Sequence, residues 1–126
     1  MGSTILVVED DPQIRDLVRL TLDDAGHRVE AVDTATAALA WLEHRRPDLI
    51  VLDLMLPEVN GIVFAERLRA LGLRPRIPIL VLSAVSQVLY KAGWIEAEGC
   101  LAKPFAVTAL LDEVDRLATR VHVACT

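Results

Sequence analysis

The sequence predicts an α/β domain in which helices cover both faces of a parallel β-sheet. Five short apolar runs alternate along the chain with segments whose apolar residues recur at helical spacing. Three of the runs, residues 5–8, 49–52 and 79–82, contain only Val, Ile and Leu, which is typical of strands buried on both faces. The chain has 126 residues, 53% of them hydrophobic, and this is enough to bury a core without disulfides or a structural metal. We therefore expect residues 1–126 to form a single domain.

The first strand and helix have clear boundaries in the sequence. Residues 5–8 form an apolar run, and Asp11 and Pro12 then suit the N-cap and the first position of a helix. Gly26 suits the residue that ends this helix. The apolar residues at helical spacing between these signals are Ile14, Leu17, Val18, Leu22 and Ala25.

The second and third units repeat this pattern. Residues 27–31 are predicted to form a short strand, and the helix after it must end before Pro47. Residues 49–52 form a buried strand that closes on Asp53, and residues 57–61 form the next loop. The helix after that loop is predicted to face inward through Phe64, Ala65, Leu68 and Leu71.

The last two units lead from a fourth apolar run to the end of the chain. Residues 77–82 end at Ser83 and are followed by an irregular helical segment over about residues 86–92. Residues 100–102 form the fifth strand, which is followed by Lys103. The final helix has the clearest helical period, through Val107, Leu110, Leu111, Val114, Leu117, Ala118 and Val121.

Alternating strands and helices restrict the topology of the sheet. Right-handed crossovers favour a doubly wound parallel sheet, and for five strands the flavodoxin-like (βα)5 order 2-1-3-4-5 is the expected one. Ligands then bind where the carboxyl ends of the first and third strands meet. The side chains that follow the strands at this edge are Glu9, Asp10, Asp53, Ser83 and Lys103.

These side chains have the composition of a phosphoryl-transfer site. Carboxylates that converge at about 4 Å repel one another by roughly 4 kcal/mol per pair at an effective dielectric constant of 20, so a cation is needed among them. Mg²⁺ prefers carboxylate and phosphate oxygens, and Lys103 adds a fixed positive charge. Asp53, at the centre, is the candidate nucleophile. Each residue also has a structural interpretation as a helix cap, a turn cap or a solvated side chain, but four loops meeting at one edge favour the functional interpretation.

Four segments resemble the receiver domain of two-component response regulators: ILVVEDDP, PDLIVLDLMLPEVNG, ILVLSA and CLAKPF. The resemblance covers essentially the whole chain, whether it is a stand-alone protein or part of a longer one. It implies that Glu9 and Asp10 form the acidic pair that binds Mg²⁺, with Mn²⁺ as a possible substitute. Asp53 would be the phosphoacceptor and a metal ligand, and Met55 would supply a backbone carbonyl to the metal.

The resemblance also implies a switching mechanism. Ser83 would be the switch hydroxyl, Lys103 would contact the phosphoryl group, and the peptide bond before Pro104 would be cis. The fifth-strand switch position, usually Tyr, Phe or His in the family, is Cys100 here. A small thiol cannot act as a bulky gate, so we interpret Cys100 as a small, partly buried hydrophobe rather than a redox group.

The implied function is signal transduction by a phosphorelay. A histidine kinase or a histidine phosphotransfer protein would donate a phosphoryl group to Asp53, and the aspartyl phosphate would change binding to a downstream protein. Such a domain catalyses only its own phosphorylation and dephosphorylation and is not a turnover enzyme. Met55 and Val85, apolar residues beside the site, offer no group to orient an attacking water, which predicts slow loss of the phosphoryl group.

Residues near the end of the chain bear on partners. Ala109 stands where the transcription-factor subgroup usually has an acidic residue, and Glu113 and Asp115 stand where it usually has basic ones. We therefore expect a monomer or a weak dimer rather than the symmetric dimer of that subgroup. Too few residues follow Val121 for an output module, so we expect this chain to act by contact with another protein.

Composition argues against several other classes of function. The net charge is −5, and no basic cluster stands out beyond Arg45 and Arg46, so direct nucleic-acid binding is not expected. No apolar stretch approaches the ~20 residues that span a bilayer. Two cysteines cannot build a disulfide framework and no secretory leader is evident, which indicates a cytoplasmic protein. The three histidines, His27, His44 and His122, lack metal-ligand spacing and are interpreted as solvated or capping side chains.

Two alternatives remain beside the receiver interpretation. A phosphatase of the haloacid dehalogenase type needs a second acid two residues after its Asp nucleophile, and Met55 occupies that place. A pseudo-receiver would keep the fold and bind a partner without being phosphorylated. Cys100 favours the pseudo-receiver, whereas the intact Glu9, Asp10, Asp53 and Lys103 favour phosphorylation.

Overall fold

A five-stranded parallel sheet forms the centre of the computed structural model, which describes residues 2–53, 61–74, 76–84 and 97–125. The strand order is β2-β1-β3-β4-β5, and every neighbouring pair is parallel. The predicted flavodoxin-like order is thus confirmed. The strands are β1 (Thr4–Val8), β2 (Arg28–Val32), β3 (Leu49–Asp53), β4 (Ile79–Ala84) and β5 (Gly99–Lys103).

Four helices are present in the described part of the chain. They are α1 (Pro12–Asp24), α2 (Ala35–Leu42), α3 (Gly61–Ala70) and α4 (Val107–Cys125). The side chain of Asp11 accepts hydrogen bonds from the N–H groups of Gln13 and Ile14, at 2.9 and 3.4 Å, so Asp11 is the N-cap of α1 as predicted. Gly26 follows α1 with φ of 96°, a conformation that glycine adopts without strain. Gly61, the last residue of the loop predicted at residues 57–61, is the first residue of α3 instead. The rest of that loop and the irregular helix predicted at residues 86–92 lie outside the described residues.

Alternate residues of each strand face two separate hydrophobic layers, because successive strand side chains point to opposite faces. In one layer the sheet packs against α2 and α3, and its largest buried side chain is Phe64. In the other it packs against α1 and α4, through Val18, Leu22, Leu110, Val114 and Leu117. All five residues of β3 are buried, so the central strand is a rigid support for the residue at its carboxyl end.

Three large apolar side chains whose spacing predicted a position facing the core are instead exposed. Leu71 is 63% exposed, Leu17 is 44% exposed and Val107 is 40% exposed. Leu71 lies one residue beyond the end of α3. Leu17 lines a surface depression with Pro104 and Phe105, and Val107 is the first residue of α4, so both lie at the margin of the sheet rather than over it.

His27, which we expected to be a solvated or capping side chain, is not solvated. Its side chain is only 8% exposed, and its Nδ1 accepts a hydrogen bond of 3.0 Å from the backbone N–H of Ser3. The Nε2 atom lies 3.9 Å from a carboxylate oxygen of Asp115 on α4. β2 begins at Arg28, so His27 precedes this strand instead of opening it. Through its two contacts, His27 links the α1–β2 turn to Ser3 and to α4. His44 is solvated, as expected, with 84% of its side chain exposed.

A buried ion pair holds the amino ends of β4 and β5 together. The guanidinium of Arg74 donates hydrogen bonds to the carbonyl of Ile77 at 2.6 Å and to the carboxylate of Glu98 at 2.8 Å. The same carboxylate oxygen accepts the backbone N–H of Ile79 at 2.8 Å. The two charged side chains are 3% and 16% exposed, so loss of either partner would leave a charge largely cut off from water.

Among the helices in the described part of the chain, not one combines the length and apolar character needed to cross a bilayer.

Candidate functional site

The carboxyl ends of four strands bring the predicted site residues to one edge of the sheet. Asp53 is the last residue of β3, and Lys103 is the last residue of β5. Ser83 lies in β4 beside Ala102 of β5, with its side chain buried. Glu9 follows β1 directly, and its backbone N–H donates a 3.1 Å hydrogen bond to the carbonyl of Val32. The parallel arrangement therefore gathers residues that are far apart in the sequence.

Three carboxylates form a compact acidic cluster at this edge. Glu9, Asp10 and Asp53 each offer an oxygen, and these oxygens lie within 4.8 Å of one another. Glu9 and Asp53 are 0% and 4% exposed, whereas Asp10 is exposed. Like charges this close, with two of them buried, strongly favour a bound cation. Oxygen-only donors open to solvent on the Asp10 side fit a hard divalent cation such as Mg²⁺, which keeps part of its water shell.

Lys103 supplies the positive charge within the cluster. Its Nζ lies 2.8 Å from a carboxylate oxygen of Glu9 and 3.6 Å from a carboxylate oxygen of Asp53. Burial opposes the charged form of this lysine, but the hydrogen bond and charge of Glu9 and the charge of Asp53 outweigh it and raise the pKa of Lys103. The ammonium is therefore firmly protonated, and it stands beside the carboxylate that we regard as the nucleophile.

Glu9 has an unusual protonation equilibrium. Burial is the main cause that raises the pKa of its carboxyl to about 7, and the neighbouring Asp53 acts in the same direction. Hydrogen bonds from Lys103 and from the backbone N–H of Asp11 act in the opposite direction but do not overcome burial. A cation bound among the carboxylates would favour the ionised form of Glu9 and displace its proton.

Sequence reasoning missed Arg15, which lies one turn into α1. Its guanidinium donates hydrogen bonds to the backbone carbonyls of Glu9 at 3.1 Å and Asp10 at 3.4 Å. Its backbone N–H donates to the carbonyl of Asp11 at 2.8 Å. Arg15 thus fixes the loop that carries the acidic pair. The available signal was its position four residues after the N-cap, where a long cationic side chain can reach back over the start of a helix.

The environment of Cys100 differs from our interpretation. We expected a partly buried hydrophobe, but Cys100 is exposed. It lies on β5, the outermost strand at this side of the sheet, and alternates with Leu101, which packs against the core. The side chain of Cys100 therefore points away from that core layer, and only Val81 of β4 is paired with it in register.

Two further elements of the predicted site have different outcomes. The peptide bond between Lys103 and Pro104 is cis, at the bond where the resemblance implied it. Met55 and Val85 lie outside the described residues, so the carbonyl ligand and the apolar flank assigned to them stay predictions.

Comparison with known proteins agrees with this arrangement. The family model of the response regulator receiver domain matches residues 5–115. The chain is 39% identical over 118 residues to the DNA-binding dual master transcriptional regulator RpaA of Synechocystis sp., covering 92% of this chain and 49% of RpaA. It is 34% identical over 122 residues to the phosphate regulon transcriptional regulatory protein PhoB of Pseudomonas aeruginosa, covering 95% of this chain and 53% of PhoB. The chain therefore spans about half the length of these relatives.

Solved structures give the same result. The chemotaxis response regulator CheY4 of Vibrio cholerae superimposes with a TM-score of 0.85 at 32% identity, covering 93% of this chain and 99% of CheY4. NtrX from Brucella abortus superimposes with a TM-score of 0.89 at 28% identity, covering 98% of this chain and 29% of NtrX. With the sheet order, the acidic edge and the sequence match in agreement, the chain belongs to the response regulator receiver domain family.

Proposed function

We propose that residues 1–126 act as one cytoplasmic phosphoacceptor domain of a two-component phosphorelay. A phosphohistidine on a histidine kinase or a histidine phosphotransfer protein would donate its phosphoryl group to Asp53. The aspartyl phosphate would then change how the domain binds a downstream protein. The observation that carries this proposal is the meeting of Asp53, the acidic pair and the Lys103 ammonium at one edge of the sheet.

The chemistry follows from the positions of Asp53 and Lys103. A carboxylate oxygen of Asp53 forms a bond to phosphorus as the phosphorus–nitrogen bond of the donor breaks, and the bonding electron pair stays on the imidazole nitrogen. Asp53 is held at the end of a fully buried strand, which limits the orientations of its carboxylate. Lys103 lies near enough to offset the negative charge that gathers on the phosphoryl oxygens.

Mg²⁺, or Mn²⁺ in its place, is the cofactor that the donor set favours. Glu9, Asp10 and Asp53 would hold it, and the backbone carbonyl of Met55 is a further proposed ligand. Bound there, the ion would neutralise charge on the acceptor carboxylate and on the incoming phosphoryl oxygens. The exposed position of Asp10 leaves that side of the site open to the donor.

An apolar depression beside the site suits contact with the phosphodonor protein. Ile14, Leu17, Pro104 and Phe105 line it together with Lys103, and its volume is about 320 Å³. A carrier whose histidine reaches Asp53 would cover part of the surface around the site, and this depression is the apolar surface next to Lys103. We therefore propose that the donor packs on this depression. Leu17, which is 44% exposed, would then be covered by the donor protein instead of by the core of this domain.

The test is phosphorylation by a small donor. Wild-type protein is incubated with acetyl phosphate and Mg²⁺, and intact mass is compared for Asp53→Ala and for Asp24→Ala, which removes an exposed carboxylate at the far end of α1. We expect a Mg²⁺-dependent gain of one phosphoryl group in wild type and Asp24→Ala but not in Asp53→Ala. Equal modification of all three proteins would refute Asp53 as the acceptor.

The exposed Cys100, in place of an aromatic switch residue, keeps the pseudo-receiver as a second candidate. A pseudo-receiver would bind its partner equally well with Asp53 intact or replaced. Absence of any modification by acetyl phosphate and by purified histidine kinases would favour it.

A further inference from the structure

A pocket of about 360 Å³ lies between the start of the sheet and the end of α2. Its wall includes Thr4 and Arg28, the first residues of β1 and β2, and Trp41, Arg45 and Arg46 from the end of α2 and the turn after it. Asp53 is the last residue of β3. Because the strands are parallel, the pocket and the phosphoacceptor site lie at opposite ends of the sheet.

The pocket concentrates positive charge in an acidic protein. Arg28, Arg45 and Arg46 all line it, although the chain has a net charge of −5. Within the described ranges, no carboxylate lies within 4.0 Å of any of these three guanidinium groups. Glu30 also lines the pocket, but it is not close enough to form an ion pair with them. Three arginines and one glutamate leave an excess of positive charge around one concave surface, which favours an anionic ligand.

The three arginines differ in the hydrogen bonds and ion pairs that their guanidinium groups already make. The guanidinium of Arg46 donates hydrogen bonds to the carbonyl of Leu42 and, at 2.9 Å, to the carbonyl of Arg45. Arg46 thus offsets the partial negative charge at the carboxyl end of α2. Arg28 and Arg45 make no side-chain hydrogen bond or ion pair within the part of the chain that is described. These two are therefore the available ligands for an anion.

Trp41 adds an aromatic wall to the pocket. Its ring packs against the core layer under α2 and is only partly buried, so it is anchored and still reaches the pocket. An indole offers a flat surface on which a planar ring can stack, and arginine side chains favour the same kind of surface.

We propose that this pocket binds a small anion that carries a planar aromatic ring, with a nucleotide as the representative ligand. Arg28 and Arg45 contact the phosphate groups, and Trp41 stacks on the ring. The volume is within the range of roughly 300–1,000 Å³ that is usual for small-molecule sites. A nucleic-acid polymer is not favoured, because the net negative charge of the chain repels phosphates outside the pocket.

The test is an NMR titration of the whole chain with ADP, and separately with inorganic pyrophosphate, in buffer with EDTA. With ADP we expect saturable shifts at the indole N–H of Trp41 and at the backbone amides of residues 28–30 and 41–46. Arg28→Ala combined with Arg45→Ala weakens ADP binding by at least about tenfold, the effect of one lost charge-assisted contact. Arg19→Ala, which removes a half-exposed arginine of α1 outside the pocket, leaves the affinity unchanged.

Several outcomes would overturn the proposal. One is that millimolar ADP produces no saturable shifts. Another is that ADP binds the Arg28→Ala, Arg45→Ala double variant as tightly as it binds Arg19→Ala. Equal affinity for ADP and pyrophosphate would show that the ring is not recognised. Asp53→Asn must retain ADP binding, because a loss there would place the nucleotide at the phosphoacceptor site.

Discussion

The Nζ atom of Lys103 lies 2.8 Å from a carboxylate oxygen of Glu9 but 3.6 Å from one of Asp53, so the lysine pairs mainly with Glu9 and more loosely with the proposed acceptor. A new phosphoryl group on Asp53 would add negative oxygens on the side of the longer contact. Lys103 is thus placed to exchange one anionic partner for another over a short distance, with its flexible stem absorbing the movement.

Removal of Lys103 should change phosphorylation and metal binding in opposite directions. Lys103→Ala is expected to slow phosphorylation of Asp53 by acetyl phosphate by about a hundredfold or more, because charge on the phosphoryl oxygens is no longer offset. The same change should tighten Mg²⁺ binding, since a competing positive charge leaves the acidic cluster. Stopped-flow phosphorylation and calorimetric Mg²⁺ titration measure the two effects. Lys103→Arg keeps the charge and should recover part of the rate. Weaker Mg²⁺ binding in a Lys103→Ala protein that unfolds at the same denaturant concentration as wild type would contradict the prediction.

The buried carboxyl of Glu9 predicts that the metal-free domain loses stability as pH rises. Its pKa is about 7 in the folded state, against 4.5 ordinarily, so the folded state holds this proton more tightly than the unfolded state. The contribution is fully present below pH 4.5 and is lost as pH rises through 7, and it amounts to about 3 kcal/mol at most.

Chemical denaturation in EDTA across this pH window measures the effect. Glu9→Gln, which stays neutral, should lose less stability than wild type over the same window, and the difference isolates Glu9 from the other carboxylates. Parallel pH profiles for the two proteins would contradict the prediction.

Two adjacent acids should separate metal binding from stability. Asp10 belongs to the acidic cluster and is exposed, so Asp10→Asn should weaken Mg²⁺ binding by at least about tenfold with little change in stability. Asp11 caps α1, so Asp11→Ala should cost about 1 kcal/mol of folding free energy and leave Mg²⁺ affinity nearly unchanged. Denaturation and Mg²⁺ titration of both variants test this. If Asp11→Ala weakened Mg²⁺ binding and Asp10→Asn lowered stability instead, Asp11 rather than Asp10 would belong to the metal-binding cluster.

Arg15 should act as a positioning residue for the acidic loop. In Arg15→Met the carbonyls of Glu9 and Asp10 lose their guanidinium donor, so phosphorylation at saturating Mg²⁺ should slow by about tenfold. Hydrogen exchange of the loop amides should speed up at the same time. Arg15→Lys can reach one carbonyl and should recover part of the rate, and Arg19→Met is the matched control on the same helix. Unchanged exchange with a slower rate would assign Arg15 a different role.

The order of the sheet and the location of the site could be predicted from the sequence because both depend on local patterns. An apolar run ends close to the end of its strand. The residue that follows the run, such as Asp53, must therefore lie at the edge of the sheet. The N-cap Asp11 was predictable for the same reason, since a cap bonds only to its own first turn.

Other features could not be predicted because they depend on contacts between distant segments. Gly72 marks the end of α3 in the sequence, and it has a positive φ, but Leu71 lies between the last helical residue and this glycine and is exposed although it fits the helical pattern. The partner of Arg74 lies 24 residues away, and neither Arg74 nor Glu98 stands out in its own segment. The exposure of Cys100 follows from the outer position of β5, which is a property of the whole sheet.

The Arg74–Glu98 pair has a consequence for how β5 can move. Glu98 anchors the start of the strand to β4 through a buried charge and the backbone N–H of Ile79, whereas the other end of the strand carries Lys103. β5 is therefore fixed most firmly where it starts, and its pairing with β4 continues up to Lys103. A pull on Lys103 by a phosphorylated Asp53 would act at the opposite end of the strand, so we expect the displacement to be largest near Pro104 and smallest near Cys100.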